Sequence, residues 1–457
     1  MKQLLIKAGR NRNKRSSKEE IEVASPLKIA AIGAGSGFGR GIVAEVLGTP
    51  DFGELGCTLT LVDIDAAALD CVHKFALLVK DHHKSRLEIE ATTDRREALP
   101  GADYVITSVA IKRYPLWEQD FRIPLAYGFR HVLGENGGPG AAFHALRNFE
   151  LMIPICRDIE DLCPNALLLN FTNPESRIIR AVSELTKVRA IGLCHGAGET
   201  LRRISEILNR PLEELDIVSG GLNHFFWVTK IADRKTGTDL YPEFRTRALS
   251  DPNCPALPPM VRKMLEVFGH YTYPSDDHIG EYVSFGSEFT GVKWHYGLES
   301  RKVPLEEPAP EPSRMERYAS GALPLDDRAL QASGELAVPI IKAIEVNQRY
   351  WADSVNVPNR EGYVEELPRD TVVEVPAWVD EGGVEPQRIG PLPEALAAFC
   401  RSQASVQKLV VEAYRHRSRN LLLQALLVDP VVNSVENAEK MIDDMLELQK
   451  DYLPTFT

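Results

Sequence analysis

The sequence predicts an α/β protein in which a parallel sheet is fused to a mixed α+β part. Short apolar runs alternate with amphipathic segments along residues 27–197, which is typical of parallel strands joined by crossover helices. The first run ends in glycines, and later runs end in polar turns. The alternation stops near residue 198. We therefore predict a polar, flexible tail at 1–26, a parallel-sheet domain at 27–197 and a mixed domain at 198–457.

The elements of the parallel-sheet domain are predicted from apolar runs and from helical spacing. Apolar, β-prone runs predict strands at 27–35, 57–65, 102–110, 165–174 and 188–196. Apolar residues at helical spacing predict helices at 39–48, 66–80 and 147–163. Because strands and helices alternate, we expect helices on both faces of the sheet.

The mixed domain has fewer regular patterns. Residues 216–233 predict two strands around a glycine-rich turn, and residues 330–348 and 407–428 each predict a helix. Residues 298–326 are rich in Pro and Glu and predict a long surface loop.

Composition limits the classes of function. The 457 residues carry a formal net charge of -12, which gives no support to nucleic-acid binding. No apolar run approaches the roughly 20 residues that a membrane-spanning helix needs. The basic N-terminal segment lacks the apolar stretch and cleavage site of a signal peptide, and the seven scattered cysteines fit reduced thiols better than disulfides. We therefore expect a cytoplasmic protein with no nucleic-acid or membrane partner.

The turn after the first predicted strand is a candidate nucleotide-binding loop. Glycines allow a tight turn and a close approach of the backbone to a pyrophosphate, which the next helix N-terminus also attracts. An acid at the end of the second strand can accept hydrogen bonds from ribose hydroxyls, which favours NAD over NADP. The alternative is a glycine-rich turn without a ligand, and the third glycine of the usual GxGxxG spacing comes one place late. The candidate cofactor-binding residues of this Rossmann-type unit are Gly33, Gly35, Ser36, Gly37, Phe38 and Asp63.

Three later segments place polar residues where predicted strands end: Asn173, Cys194 with His195, and His224. Loops at the carboxyl ends of parallel strands form the ligand crevice of an open sheet. One thiolate and one imidazole cannot close a tetrahedral structural site, but they can hold a catalytic metal whose coordination is completed by substrate and water. Taken alone, the pair indicates a buried cysteine and a hydrogen-bonded core histidine more readily than a metal site.

Five motifs and two C-terminal signatures together give a more specific indication. The segments KIAAIGAGS, LVDID, NFTNPE, GLCHG and GGLNH follow one another in this order, and residues 355–380 and 421–432 add C-terminal signatures. This combination resembles glycoside hydrolase family 4 over residues 27–450. The resemblance implies a fold like that of lactate and malate dehydrogenases and an assembly as a homodimer or homotetramer.

The resemblance also implies an unusual reaction that does not use paired carboxylates. Bound NAD+ takes a hydride from carbon 3 of the sugar, and the ketone makes the proton on carbon 2 acidic. A base removes that proton, and a divalent metal, usually Mn2+, stabilises the enediolate. The aglycone leaves with help from an acid, water adds, and the hydride returns, so the cofactor is not consumed.

Residue by residue, the resemblance implies that Cys194 and His224 are the metal ligands and that Asn173 binds substrate. His195 occupies the place of the proton donor, although it could serve only to shape the metal site. For the base we favour Asp276, with Tyr271 as the alternative. Asp276 could instead only cap a helix that starts near residue 278.

Substrate contacts are predicted in two loops. Glu135 is expected to bind sugar hydroxyls near the nicotinamide, unless it is a solvated residue of a glycine-rich turn. Lys112 and Arg113 could pair with a uronate carboxylate or be ordinary surface charges. Trp117 replaces an Arg of the phosphosugar members and could pack on a sugar ring or in the core.

The segment 194–197, Cys-His-Gly-Ala, resembles the subgroup that acts on non-phosphorylated sugars, especially α-glucuronides and α-galacturonides. Two other functions stay open from the sequence. One is an NAD-dependent 2-hydroxy-acid dehydrogenase, because the folds are related. The other is a non-enzymatic NAD-binding sensor. Dependence on a divalent metal separates the glycosidase from both.

Overall fold

A computed structural model describes residues 26–292 and 313–457 of the chain. The predicted tail at 1–26 lies outside the described residues except for Pro26. The predicted loop at 298–326 also lies outside them up to residue 312, and its described part contains a short helix, Arg314–Ala319.

The strands of the described chain alternate with helices in the first half and pair with one another in the second. In chain order the strands are β1 (Lys28–Ile32), β2 (Thr58–Val62), β3 (Glu88–Thr92), β4 (Tyr104–Thr107), β5 (Leu167–Asn170), β6 (Arg189–Gly192), β7 (Leu215–Leu222), β8 (Phe225–Asp233), β9 (Tyr350–Pro358), β10 (Val372–Asp380) and β11 (Gly383–Pro386).

The α-helices cover both faces and the ends of the sheet. In chain order they are α1 (Gly39–Leu47), α2 (Pro50–Glu54), α3 (Ala66–His83), α4 (Arg95–Ala98), α5 (Arg113–Ala126), α6 (Gly138–Leu162), α7 (Glu175–Leu185), α8 (Gly196–Leu208), α9 (Tyr241–Ser250), α10 (Pro259–Phe268), α11 (Asp276–Gly280), α12 (Gly286–Thr290), α13 (Arg314–Ala319), α14 (Asp327–Leu330), α15 (Ala337–Glu345), α16 (Glu394–His416), α17 (Arg419–Val428) and α18 (Val435–Leu448). None of these helices combines the length and the apolar character that a bilayer span requires.

The strands form one sheet in the order β3-β2-β1-β4-β5-β6-β9-β10-β7-β8, with β11 beside β10. The first six strands are parallel, in the order of doubly wound nucleotide-binding folds. From β9 onward the pairing is antiparallel, starting at Gly192 opposite Asn356. The predicted α/β fold with a mixed second part is therefore confirmed, whereas the division into two domains stays a prediction because one sheet runs through both parts.

The core lies on both faces of this sheet. In β1, Ile29 and Ala31 pack into one apolar cluster, and Ala30 and Ile32 pack into the other. Successive side chains of a strand point to opposite faces, so a strand that is apolar on both faces must be covered on both. This burial keeps the carboxyl ends of the parallel strands together at one edge, where the candidate site residues lie.

The predicted strands and helices of the first part are present, but β3 and the helices α2, α4, α5, α7 and α8 were not predicted. β3 was not predicted, because its sequence EIEAT is mostly exposed and polar at the sheet edge. The helix predicted at 147–163 begins at Gly138, after a glycine-rich turn that carries no helical pattern.

In the second part, the predicted helix at 407–428 is two helices. Arg417 is left-handed, with φ of 52°, which ends α16. Ser418 then caps α17 by accepting the amide hydrogen of Leu421. A side-chain cap of this kind satisfies a backbone donor that the new helix leaves free.

Candidate active site

The glycine-rich loop after β1 has little room for side chains. At Gly33, with φ of +83°, a Cβ atom would lie 2.1 Å from the Ser108 carbonyl oxygen. At Gly39 it would lie 1.7 Å from the Ala34 carbonyl oxygen. Gly39 opens α1 and was not among the predicted cofactor residues, although it is the late third glycine of the motif. This packing brings the N-terminus of α1 up to the end of β1, where free amides can face an anion.

Asp63 lies at the end of β2 beside this loop. Its two oxygens accept the amide hydrogens of Gly35 at 2.9 Å and Asp65 at 3.0 Å. Each carboxylate oxygen has a second lone pair, so Asp63 can still accept hydrogen bonds from a ligand. Ile64, which follows it, is 88% exposed, and the position offers an apolar contact next to the carboxylate.

The other predicted loop residues line the same turn. Ser36 hydrogen-bonds Ser108 through its hydroxyl at 3.2 Å, and Phe38 stacks on Phe171 at a centroid distance of 5.8 Å. Gly37 is exposed, and a Cβ atom there would meet nothing within 4 Å. The loop thus connects to the turn after β5 that carries Asn173.

Asn173, Glu135 and Arg113 form one group at the end of β5. The Asn173 amide nitrogen lies 3.5 Å from Glu135 Oε1, and Arg113 donates to the same oxygen at 3.0 Å. Glu135 is buried and Arg113 is half exposed. Buried charges are stable when paired and hydrogen-bonded, so the group offers a carboxylate, an amide and a cation to one ligand.

Lys112 and Trp117, which were also predicted to contact the substrate, do not belong to this group. The Lys112 ammonium is exposed and lies 5.3 Å from the centroid of the Tyr452 ring. Trp117 is buried with Val132 and Leu133, and its indole donates to the Leu133 carbonyl oxygen at 2.9 Å. Trp117 is therefore a core residue that supports the loop before Glu135.

Cys194 and His224 have two neighbouring residues in common, Tyr273 and Asn223. Cys194 follows β6, and His224 lies in the β7–β8 turn with φ of 60°. The Tyr273 ring stacks on His224 at 5.7 Å and also packs against Gly196, where a Cβ atom would lie 3.2 Å from it. Asn223 hydrogen-bonds both Cys194 and a buried carboxylate, Glu374, the latter at 2.8 Å.

The protonation of this pair follows from its burial. Burial lowers the pKa of His224 well below its usual value, so the imidazole is neutral and keeps a lone pair. Burial also raises the pKa of the Cys194 thiol, helped by the charge of Glu374. Displacement of the thiol proton would therefore accompany the binding of a cation.

The pair fits a divalent cation. Thiolate and imidazole are both ligands of transition metals, and His224 Nδ1 is buried with no hydrogen-bond partner in the described residues. Within residues 26–292 and 313–457, no third His, Cys, Asp or Glu completes a ligand set. Such a site would keep coordination positions for substrate oxygens and water.

His195 is held by a carboxylate that the sequence did not single out. His195 Nδ1 lies 3.1 Å from Glu335 Oε1, and this hydrogen bond raises the pKa of His195. Glu335 is buried, and the His195 side chain is 55% exposed. The imidazole therefore reaches the open side of the site with its other nitrogen free to carry a proton.

The two predicted base candidates do not contact the Cys194–His224 pair in the described structure. The Asp276 carboxylate accepts the amide hydrogens of Met260 at 3.1 Å and Val261 at 3.0 Å. It therefore caps α10, and not a helix near residue 278. Tyr271 is fully buried and packs edge-on against Phe244. Neither geometry supports a role as base.

Residues close to Asp276 in sequence do reach His224. Tyr273 stacks on it, as described, and the His278 ring lies 4.8 Å from it between centroids. Asp277 Oδ1 lies 2.8 Å from His278 Nδ1. Burial raises the pKa of Asp277, but the hydrogen bonds from His278 and Ser275 and the charge of His278 outweigh it, so the pKa is lowered. Residues 271–278 are rich in Tyr, Asp and His, and this was the signal in the sequence for a site there. The sequence does not show in which direction each of these side chains points.

Comparison with known proteins agrees with these features. Residues 28–210 match the family described as family 4 glycosyl hydrolase, and residues 219–432 match its C-terminal domain. The chain is 31% identical to an α-glucosidase of Erwinia rhapontici, over 93% of this chain and 98% of the relative. It is 29% identical to an α-galactosidase of Bacillus subtilis, over 94% and 99%, and 25% identical to an α-galacturonidase of Lachnoclostridium phytofermentans, over 94% and 97%.

Solved structures show the same fold. A 6-phospho-α-glucosidase from gut microorganisms, in complex with NAD and Mn2+, superposes with a TM-score of 0.77 at 23% identity, over 94% of this chain and 100% of that one. Malate dehydrogenase from Plasmodium falciparum superposes with a TM-score of 0.53 at 13% identity, over 87% and 99%. With both family regions matched and a full-length relative above 30% identity, the chain belongs to glycoside hydrolase family 4.

Proposed function

We propose that this enzyme cleaves non-phosphorylated α-linked glycosides with the help of bound NAD+ and a divalent metal. One observation carries the proposal. The Cys194–His224 pair and the group of Asn173, Glu135 and Arg113 lie in the segments that follow β4, β5, β6 and β7 of one sheet. A metal site and a hydroxyl-binding site placed together suit a sugar better than a simple hydroxy acid.

NAD+ is the cofactor that the β1–α1 loop supports. Gly33 and Gly39 allow the tight turn that brings the N-terminus of α1 to the end of β1, where a pyrophosphate can bind, and Asp63 can accept hydrogen bonds from the adenosine ribose. Ile64 is available to pack against the adenine. The similar 6-phospho-α-glucosidase was crystallised with NAD and Mn2+, which supports the same pair of cofactors here.

When bound, NAD+ would supply a reversible hydride acceptor and the metal a Lewis acid. Cys194 and His224 would hold the metal. Glu135 and Asn173 would accept and donate hydrogen bonds to sugar hydroxyls. The half-exposed His195, oriented by Glu335, would give its proton to the leaving oxygen.

Tyr273 is the base that we propose in place of Asp276 or Tyr271. Its ring contacts His224 and Gly196, whereas the Asp276 carboxylate is used by the N-terminus of α10. Burial raises the pKa of Tyr273, and the charge of Cys194 adds to this effect. The positive charge of a bound cation would oppose both effects and lower the pKa of Tyr273, so the phenol would lose its proton more easily.

The nature of the sugar is inferred from the polar groups at its site. Arg113 and Asn173 contact the same Glu135 oxygen, and the charge of Arg113 is shared with Glu135 at 3.0 Å. The Lys112 ammonium lies over the Tyr452 ring and is not part of the group of Arg113, Glu135 and Asn173. One partly neutralised arginine suits a hydroxyl or a single carboxylate better than a phosphate dianion. The related α-glucosidase, α-galactosidase and α-galacturonidase support neutral α-glycosides and α-uronides as the substrates to test.

A panel of p-nitrophenyl α- and β-glycosides tests the proposal. It should include glucosides, galactosides, glucuronides, galacturonides and 6-phosphoglycosides, each with catalytic NAD+ and with Mn2+. We expect cleavage of non-phosphorylated α-glycosides without net accumulation of NADH. Stoichiometric NADH would favour a hydroxy-acid dehydrogenase, and cleavage of 6-phosphoglycosides alone would refute the assignment of substrate class.

Replacing Asp63 by serine tests the cofactor site. We expect the Kd for NAD+ to rise by about 10-fold to 100-fold, because hydrogen bonds to a charged acceptor contribute about 1.5–3 kcal/mol. The preference for NAD+ over NADP+ should also fall, since the carboxylate that repels a 2′-phosphate is gone. Calorimetric titration with both nucleotides measures these changes.

The neighbouring acid provides a matched control. Asp65 caps α3 by accepting the amide hydrogens of Ala67 and Ala68, and serine is also a good cap. Asp65→Ser should therefore leave the affinity for NAD+ within about twofold. Equal losses in the two variants would contradict the specific role of Asp63.

Assembly as a homodimer or homotetramer and a location in the cytoplasm stay predictions. Light scattering of the purified enzyme decides the first. Fractionation of cells that produce the full chain decides the second.

A further inference from the structure

Four consecutive backbone amides of the loop that carries Glu135 are bound by two buried carboxylates. Glu281 Oε2 accepts the amide hydrogens of residues 135, 136 and 137 at 2.8, 2.7 and 2.9 Å. Asp429 accepts the next one, from Gly138. Glu281 is fully buried and Asp429 nearly so. These hydrogen bonds therefore fix the backbone of residues 135–138.

The loop is shaped to close on these carboxylates. A Cβ atom at Gly137 would lie 2.6 Å from the Glu281 carbonyl oxygen, and Gly138 has φ of +75°. Both positions therefore require glycine. Of the four amides, only that of Gly138 belongs to α6, whose first donors have no partner within the helix. Asp429 supplies its partner, and Glu281 binds the three amides that precede the helix.

A buried arginine balances the charge of this arrangement. Arg177 is fully enclosed, and none of its guanidinium nitrogens Nε, Nη1 and Nη2 has a hydrogen-bond partner in the described chain. Glu281 Oε1 and Asp429 Oδ2 are also buried without a partner there. Both carboxylates attract the Arg177 charge, against the effect of its burial. Such groups are stable only when opposite charges lie near them.

We propose that Glu281, Asp429 and Arg177 form a loop clamp that positions Glu135 for binding of the sugar. The clamp fixes the backbone of residues 135–138, and the Glu135 carboxylate above it meets Asn173 at 3.5 Å and Arg113 at 3.0 Å. Its members are positioning residues, since they act on the substrate through Glu135. This inference rests on the proposed function, because it takes Glu135 as a sugar ligand.

The three members come from separate parts of the chain: α7, the segment after α11 and the turn after α17. Because Glu281 and Asp429 converge on four amides, a small shift in either of them moves the Glu135 carboxylate. A displacement of about 1 Å at a positioning group can lower a rate about 100-fold.

A double-mutant cycle tests the clamp. Glu281→Gln keeps the size of the side chain and removes its charge, and it should lower kcat/KM about 10-fold to 100-fold. In a Glu135→Gln background the same change should have less than about a twofold effect, because its route to the substrate is already lost. Equal losses in both backgrounds would show that Glu281 acts through the fold in general, and would overturn the proposal.

Amide hydrogen exchange provides a readout that does not depend on activity. In Glu281→Gln, residues 135–138 should exchange at least about 10-fold faster than in the unaltered enzyme. Glu345→Gln is the matched control, because Glu345 is also buried and accepts a hydrogen bond from Tyr104 at 2.8 Å, at the start of β4 and away from the loop. Unchanged exchange in Glu281→Gln would overturn the clamp.

Asp429→Asn serves as the second variant if Glu281→Gln does not fold. It should speed exchange at Gly138 and show the same non-additivity with Glu135→Gln. If the unaltered enzyme cleaves no glycoside, the proposed function fails, and the exchange measurement still decides whether the clamp holds the loop.

Discussion

Replacing Cys194 by serine is expected to lower kcat/KM for glycoside cleavage by on the order of 10³-fold or more. Cys194 and His224 are the two side chains proposed to hold the metal, and serine has no thiolate to offer. Loss of Lewis-acid assistance removes several kcal/mol of transition-state stabilisation. Binding of NAD+ should stay nearly intact, because the β1–α1 loop makes its own contacts with Ser108 and Asp63.

The measurement combines a rate assay with two titrations. Mn2+ affinity should fall with activity, while the Kd for NAD+ should change by less than about threefold. Cys254→Ser is the matched control, because this half-buried thiol contacts Asp251 and Ile207 and not the site. Full activity of Cys194→Ser, or of the unaltered enzyme in excess chelator, would refute the metal assignment. Oxidation of the Cys194 thiol should inactivate the enzyme as well.

The sequence was sufficient for the fold because most of the parallel strands are buried on both faces. Such strands are continuous apolar runs that end in glycine or polar residues, and these ends are visible without any contact information. For the same reason Asn173, Cys194 and His224 could be predicted to lie at one edge of the sheet. The residues that surround and orient these three side chains could not be predicted in this way.

Glu335 and Glu281 show why. Glu335 lies just before α15, at the start of the segment predicted as a helix, and Glu281 lies in a stretch without periodic pattern. Each meets its partner across a long sequence separation, as in Glu335 with His195 and Glu281 with residues 135–137. A buried glutamate in a loop looks the same in sequence as a solvated one. Only the tertiary fold tells which amides or imidazoles face it.

The choice of base depends on a smaller effect. Thr272 pairs with Trp227 as an isolated β-bridge. Side chains two residues apart in an extended segment point to the same side but lie about 7 Å apart along it. Tyr271 therefore packs against Phe244 and Tyr273 against His224, and composition cannot tell which of the two tyrosines reaches His224.

The order of bond breaking gives the other large expected effect. If the proton on carbon 2 is removed before the aglycone leaves, the sugar released in D2O should carry deuterium at carbon 2. Direct displacement at the anomeric carbon never breaks that C–H bond and would leave it protonated. Mass spectrometry and proton NMR of the product distinguish the two.

Tyr273→Phe should slow both the exchange at carbon 2 and glycoside cleavage by about 10²- to 10⁴-fold, the usual contribution of a positioned base. Phenylalanine keeps the ring that stacks on His224 at 5.7 Å, so Mn2+ and NAD+ affinities should be unchanged. Tyr271→Phe removes a hydroxyl that is buried away from the pair, and Asp276→Asn changes only the cap of α10. Neither should affect the ratio of exchange to cleavage. If Asp276→Asn abolishes the exchange while Tyr273→Phe retains it, the base is Asp276 and the cap seen here must open during the reaction.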